Sequence, residues 1–303
     1  MERNLVIRGS RYASGFLPLV LVVFLSATPC AWSDDASGYV RLEDGQQLYY
    51  EVSGEGCPVV LIAGGSGMDL RQWDDVFHSL AGQFRTSRYD PRGVGRSDVP
   101  SSPYSDADDL TALLDELGME QAALVGISSA GGFALEYSLE VPERSLTVIA
   151  SAPFVPGFEL SDAMASRVAR IGKAAQEGKE PFLEAMLTDP HFIPSPLRPA
   201  VRPRVRANMG ENYDKASSLD PSLEQVLDPP LIDRLGEISA PTLLIEGALD
   251  HPDIHRRIRA LRDAIPNSRV VRVDDAGHNP QLENPEAFIA SIVPALASAC
   301  AAR

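Results

Sequence analysis

Short apolar runs of strand length recur along the chain: Val59 to Ile62, Phe84 to Tyr89, Ala122 to Ile127, Leu146 to Ala150, Thr242 to Ile245 and Arg269 to Val273. Turn-forming residues bound each of them. Between them lie segments whose apolar residues fall three or four apart, as in Trp73, Val76, Phe77 and Leu80, and again in Leu110, Leu113, Leu114 and Leu117. That spacing predicts helices with one buried face. Ser105 with Asp108 three residues on supplies a cap for the second of these, and Gly118 a stop. Near the start, Tyr39 to Glu43 and Gln47 to Val52 flank Asp44-Gly45, which predicts an antiparallel hairpin. Strands alternating with helices predict an α/β fold with a mostly parallel sheet covered on both faces. The alternation lapses between Pro153 and about Ala240, a stretch rich in Pro and Arg with helical spacing from Ala163 to Gln176. It is too long for a simple loop in a compact domain and predicts a helical insertion.

The first residues follow a different pattern. Arg3, Arg8 and Arg11 precede an apolar run, Phe16 to Ala27, interrupted by Pro18 and followed by polar Ser33, Asp34 and Asp35. This is the layout of a secretory signal peptide, and the run falls short of the about 20 residues of a membrane span. A lipid-anchored alternative at Cys30 has Ala27 and Pro29 where such signals place Leu and a small residue. The expected partition is a signal peptide over 1–33, a core in two parts over 34–152 and 241–303, and the helical insertion over 153–240. Export to the periplasm or the medium follows as an expectation.

Composition narrows the partners. The 303 residues hold 27 Lys plus Arg against 42 Asp plus Glu, a net charge of −15, and cleavage after Ser33 would leave −17. No basic patch offers the counter-charge that nucleic acids require, so a small-molecule partner is expected. Cys30, Cys57 and Cys300 are too few and scattered for a zinc site, and no metal is expected.

Candidate chemistry concentrates in Leu124-Val125-Gly126-Ile127-Ser128-Ser129-Ala130-Gly131-Gly132, an apolar strand entering a small-residue turn and then a helix from Phe133. A sharp strand-to-helix turn that lifts a serine into the open needs small residues two before and two after it. Gly126 and Ala130 bracket Ser128 in that way, whereas Ser129 would put Ile127 at the crowded place. A phosphate-binding loop is excluded, because Gly132 and Phe133 stand where Lys and Ser or Thr are required. Small residues that merely permit close helix-to-sheet packing are the bland alternative.

Together with three further segments, the turn resembles the α/β-hydrolase fold superfamily from Gly38 to the C-terminus. Tyr89-Asp90-Pro91-Arg92-Gly93-Val94-Gly95-Arg96-Ser97-Asp98 is similar to the family's D-x-R-G-x-G-x-S segment, with Asp90 and Arg92 expected to satisfy turn amides and carbonyls. Leu61-Ile62-Ala63-Gly64-Gly65-Ser66-Gly67 falls where the family forms half of an oxyanion hole, although His is common in the place of Ala63. Glu246-Gly247-Ala248-Leu249-Asp250 resembles the strand-end G-x-x-D, and Asp274 to Pro280 resembles the loop carrying the G-H pair.

The resemblance implies an eight-stranded sheet with a helical cap at 153–240. It also implies a Ser128 nucleophile, His278 as base, Asp250 as acid with Asp253 in reserve, and the N–H groups of Gly65 and Ser129 as oxyanion donors. No cofactor is needed for such chemistry. His78, His191, His251 and His255 are expected at the surface. Arg198, Arg202, Arg204 and Arg206 are expected on a solvated face rather than against a substrate carboxylate, while Phe154, Phe158, Phe182 and Phe192 would line an apolar pocket or form the cap's own core. In such a fold Cys57, before the third strand, and Cys300, ending the last helix, approach one edge of the sheet, and either a disulfide or two free thiols is open.

The expected activity is hydrolysis of carboxylic esters or lactones through an acyl-enzyme. An enol-lactone or carbon–carbon bond hydrolase using the same residues is the enzymatic alternative, and a non-catalytic ligand-binding member of the fold is the other.

Overall fold

The computed structural model describes residues 35–65, 67–195 and 198–302, so the expected signal peptide and Cys30 lie outside the described residues. Eight strands form one sheet: β1 Ala36–Arg41, β2 Gln47–Ser53, β3 Pro58–Ile62, β4 Arg85–Tyr89, β5 Ala122–Ile127, β6 Ser145–Ser151, β7 Thr242–Gly247 and β8 Ser268–Val273. Their order is β1-β2-β4-β3-β5-β6-β7-β8, and β2 is antiparallel to both of its neighbours while β3 to β8 are mutually parallel. The hairpin differs in detail from the sequence pattern. Gly45, at φ +86°, donates its N–H to Leu42 O, and Leu42 N donates to Gln46 O, so Leu42 and Glu43 belong to the turn rather than to β1.

Helices α1 Asp74–Ala81, α2 Asp106–Glu116, α3 Ser129–Glu140, α4 Asp162–Glu177, α5 Lys179–Leu187, α6 Val201–Ser217, α7 Leu231–Arg234, α8 Pro252–Ala264, α9 Pro280–Glu283 and α10 Pro285–Ala301 complete the described chain. The strand period of two separates the layers. Val60, Ile62, Leu124, Val148 and Leu244 point to one side, where they pack with Leu110, Leu113 and Leu114 of α2, Leu135 of α3 and Ile258 and Leu261 of α8. Val59, Leu61, Val125, Ile149 and Ile245 point to the other, against Trp73, Val76, Phe77 and Leu80 and against Phe288, Ile292 and Leu296 of α10. Ser105 Oγ accepts from Asp108 N at the start of α2, and Gly118 ends that helix with φ +61°.

Four helices, α4 to α7, occupy the chain between β6 and β7, where the sequence predicts an insertion. Leu183, Met186, Phe192, Val201, Val205 and Met209 give this segment a cluster of its own, joined by Met68 and Leu282. Its arginines keep a solvated side, as expected, and also reach acceptors within the protein. Arg198 and Arg204 both pair with Asp75 of α1, Arg202 donates to Leu187 O and Ile193 O, and Arg206 pairs with Glu180. Asn208 and Asn212 likewise donate to the buried carboxylate of Asp69. Among the described residues, no helix is long and apolar enough to cross a membrane.

Cys57, just before β3, and Cys300, in the last turn of α10, form a disulfide with Cα atoms 5.8 Å apart and a sequence separation of 243. Closing so long a loop removes much of the freedom of the unfolded chain, and the loss of such a bridge costs about 2–5 kcal/mol. Urea unfolding of a Cys57→Ala/Cys300→Ala protein should show a decrease of that size; an unchanged midpoint with an unchanged slope would mean that the bridge contributes nothing.

Candidate active site

The turn between β5 and α3 carries Ser128 at φ 54° and ψ −120°, a left-handed conformation that is costly for a residue with a Cβ. Its backbone is over-determined. Ser128 N donates to Ser151 O at 2.9 Å, and Ser128 O accepts from Gly132 N at 3.0 Å and Phe154 N at 2.8 Å. The small-residue requirement is visible at Gly126, where an added Cβ would lie 2.2 Å from Ala130 O. Ala130 itself is buried with its methyl toward Gly64, so the extra carbon relative to glycine is accommodated.

The loop after β3 runs beside this turn. A Cβ built on Gly65, at φ +84°, would stand 3.9 Å from Ser128 Oγ, and one built on Gly64 would stand 3.3 Å from Ser129 Oγ. Both glycines, Ser128 and His278 line one cavity of about 310 Å³, together with Phe192, Met186 and Arg167 from the inserted segment.

His278 lies in the loop between β8 and α9, with its side chain only 14% exposed. Its Nδ1 is 3.0 Å from Oδ2 of Asp250, a carboxylate buried after β7 whose Oδ1 accepts from His251 N at 2.7 Å. The two loops lie so close that a Cβ on Gly247 would meet Gly277 O at 1.9 Å, which explains glycine at the head of the G-x-x-D segment. Asp253 points elsewhere. Its Oδ2 accepts from Ser161 N and pairs with Arg256, leaving Asp250 as the carboxylate on His278.

Two of the other histidines differ from the surface expectation. His251 is buried, accepts Asp253 N at Nδ1 as the cap of α8, and meets the ring of His191 edge-on at 5.0 Å. His255 Nδ1 is 2.7 Å from Glu246 Oε2 and is largely covered. His78 is exposed as expected. In the D-x-R-G-x-G-x-S segment, Asp90 accepts from Leu70 N and Arg96 N, whereas Arg92 binds no turn carbonyl. Its guanidinium is held bidentately by Asp109 and also by Asp44 and Gln46. Of the phenylalanines, Phe192 faces the smaller cavity, Phe154 and Phe182 face a larger one, and Phe158 lies beneath Arg256 and Arg257.

Several groups that bear on the site lack a motif. Glu283, the last residue of α9, is buried and accepts from Gly277 N and Asn279 N at Oε1 and from Ser195 N at Oε2. It therefore fixes both residues flanking His278 and ties them to the inserted segment. Glu283→Gln places an amide N–H group against the donor of Ser195 or Gly277 and should lower kcat by about tenfold to a hundredfold through misplacement of the imidazole; unchanged kinetics would remove this role.

The larger cavity, about 850 Å³, is lined by Gly64, Gly65 and Ser129 at one end and by Asp106, Glu136 and Glu224 elsewhere. Glu136 was accessible to helical spacing, since it lies seven residues after Ser129 on the same face of α3. Asp106 and Glu224 come from separate segments, and no local pattern marks them.

Burial, reinforced by neighbouring carboxylates, pushes Asp106 and Glu136 up to about 7, and burial raises Glu283 to about 7 against the pull of its N–H donors. A carboxyl raised on folding favours the folded state fully below its unfolded value, near 4, and that contribution is lost as pH rises through about 7. The carboxylates lowered by arginine neighbours, Asp75 and Asp189, act in a separate window below pH 4. Urea unfolding should therefore give lower stability at pH 8 than at pH 5.5, with Glu136→Gln narrowing the gap; a gap of equal size in the variant would assign it to other groups.

A family model described as alpha/beta hydrolase fold matches residues 58–285. "Putative carbamate hydrolase RutD" of Azorhizobium caulinodans is 29% identical over 250 residues, covering 80% of this chain and 91% of that protein. Among solved structures, the enol-lactonase from Burkholderia xenovorans is similar with a TM-score of 0.70 at 25% identity, over 86% of this chain and 100% of its own. The thermophilic esterase from Thermogutta terrifontis is similar with a TM-score of 0.73 at 25% identity, over 87% of this chain and 99% of its own.

Proposed function

We propose, from the premise that the chain belongs to the α/β-hydrolase fold family and is accordingly a hydrolase, that it cleaves carboxylic esters or lactones through an acyl-enzyme formed on Ser128. The observation that carries this proposal is the 3.0 Å approach of His278 Nδ1 to Asp250 Oδ2, beside a cavity that His278 shares with Ser128 and Gly65.

In this mechanism Asp250 accepts a hydrogen bond from Nδ1–H of His278, which leaves Nε2 as the base. A serine hydroxyl is a weak nucleophile at neutral pH, so His278 takes its proton during attack on the carbonyl carbon. The tetrahedral intermediate places its oxyanion toward the N–H groups of Gly65 and Ser129, the latter at the positive end of α3. His278 then returns the proton to the departing alcohol oxygen, or to the ring oxygen of an opened lactone. In the second half it activates water, which releases the acid and restores Ser128. Asp250 stabilises the imidazolium in both halves.

Residues 153–240 act as the cap over this site. Export is supported by the leader-like pattern of residues 1–33 and by the Cys57–Cys300 bridge, which suits an oxidising compartment. The likeness to an enol-lactonase extends the candidate substrates to enol-lactones. A panel of p-nitrophenyl esters, alkyl esters, lactones, enol-lactones and a diketone-type acid tests the assignment. Turnover of an ester or lactone at rates abolished by Ser128→Ala is the expected result; turnover confined to the carbon–carbon substrate, or none, would overturn it.

A further inference from the structure

Beside the proposed nucleophile, the 850 Å³ cavity combines two contrasting properties. Its wall is largely apolar and aromatic, including Tyr89, Phe133, Phe154 and Tyr213. Three carboxylates, Asp106, Glu136 and Glu224, nevertheless face it. Among the described residues, no hydrogen-bond donor and no cation pairs with any of the three side chains. Asp106 is partly covered by protein and lines the cavity.

Arg92 also reaches this wall, and its charge opposes the rise of Asp106, but it forms no ion pair with any of the three. Asp109 and Asp44 already hold it with two carboxylates, so the cluster around it keeps a negative excess. Like charges gathered in apolar surroundings resist ionisation, and burial together with the mutual repulsion of Asp106, Glu136, Glu224, Asp109 and Glu140 raises Asp106 and Glu136. A cation placed among them removes that penalty, and the aromatic faces add cation–π attraction.

We propose that this cavity receives a positively charged arm of the substrate, a quaternary ammonium or protonated amine, with Asp106 and Glu136 as its counter-ions and the ester carbonyl directed to Ser128. That the cation belongs to a substrate rests on the hydrolase function proposed above; the cation site itself does not.

Matched esters that differ only in charge test this. One pair puts the charge in the alcohol, 2-(trimethylammonio)ethyl butanoate against 3,3-dimethylbutyl butanoate. The other puts it in the acid, butyl 4-(trimethylammonio)butanoate against butyl 5,5-dimethylhexanoate. In at least one pair the cationic ester should have a kcat/KM about tenfold or more above its neutral isostere. Asp106→Asn, Glu136→Gln and the double variant should bring that ratio toward unity, each single variant serving if the double variant does not fold.

A second readout is independent of turnover. Millimolar choline should raise the Tm of the wild type and of Ser128→Ala more than 3,3-dimethylbutan-1-ol does, and the difference should vanish in Glu136→Gln. Ester hydrolysis without charge preference, together with equal Tm shifts for choline and its isostere, overturns the cation site and leaves the hydrolase function standing. A choline shift that depends on Glu136, in a protein that hydrolyses no ester, keeps the site and overturns the hydrolase function.

Discussion

Replacement of Ser128 by Ala should lower kcat by about 10⁴ to 10⁶ while the fold persists. The hydroxyl is the only part of the side chain removed, and the turn that presents it is held through its backbone, by bonds from Ser128 N to Ser151 O and from Gly132 N and Phe154 N to Ser128 O. Alanine keeps the same Cβ at the same left-handed φ of 54°, so the strain of the turn is unchanged. What remains is a cavity that still binds substrate and an oxyanion site with nothing to attack the carbonyl, which leaves a residual rate well above that of water alone. Pre-steady-state assays with a p-nitrophenyl ester should show an acyl-enzyme burst in the wild type and none in the variant, and a fluorophosphonate probe should label only the wild type. Turnover within tenfold of the wild type would place the nucleophile on another residue, Ser129 being the nearest candidate.

The second large effect concerns Asp250. Asp250→Asn should reduce kcat by about 10⁴, comparable to the loss known for a triad whose acid becomes an amide. The amide nitrogen donates where the carboxylate accepted, so facing Nδ1 of His278 it favours the wrong tautomer. Its second oxygen position is committed to His251 N at 2.7 Å, which resists the rotation that would relieve the mismatch. Asp253→Asn is the control. That carboxylate serves Ser161 N and Arg256, and its loss should change kcat by less than about tenfold. If the two variants exchange these outcomes, the acid has been assigned to the wrong residue.

The sheet was legible because its central strands are covered on both faces and so read as continuous apolar runs bounded by turns. The hairpin was less so, since Leu42 and Glu43 continue the strand composition into what is a turn closed by Gly45. Ser128, Asp250 and His278 stand out as candidates because each occupies a backbone setting that admits few residue types: the crowded turn at Gly126, and the contact between Gly247 and the carbonyl of Gly277. The acidic wall could not be found that way. Asp106 reads as an ordinary first-turn acid of a helix, and Glu224 as a loop residue, until three distant segments converge. The ion pairs of the arginines were hidden for a related reason: Asp75, which holds Arg198 and Arg204, lies 123 residues before the first of them. His251 is buried because it caps α8, a role that composition does not assign to histidine.

The Cys57–Cys300 bridge has a further consequence for the molecule as a covalent object. It encloses β3 to β8, the inserted helices and all three proposed catalytic residues in one ring of chain. A protease that cuts once inside the ring, for instance in the long stretch between β6 and β7, therefore opens the ring without releasing a fragment. The nicked enzyme keeps a single mass, and its halves separate only after reduction and unfolding. One scission is thus a wound that the molecule can carry and still remain one molecule.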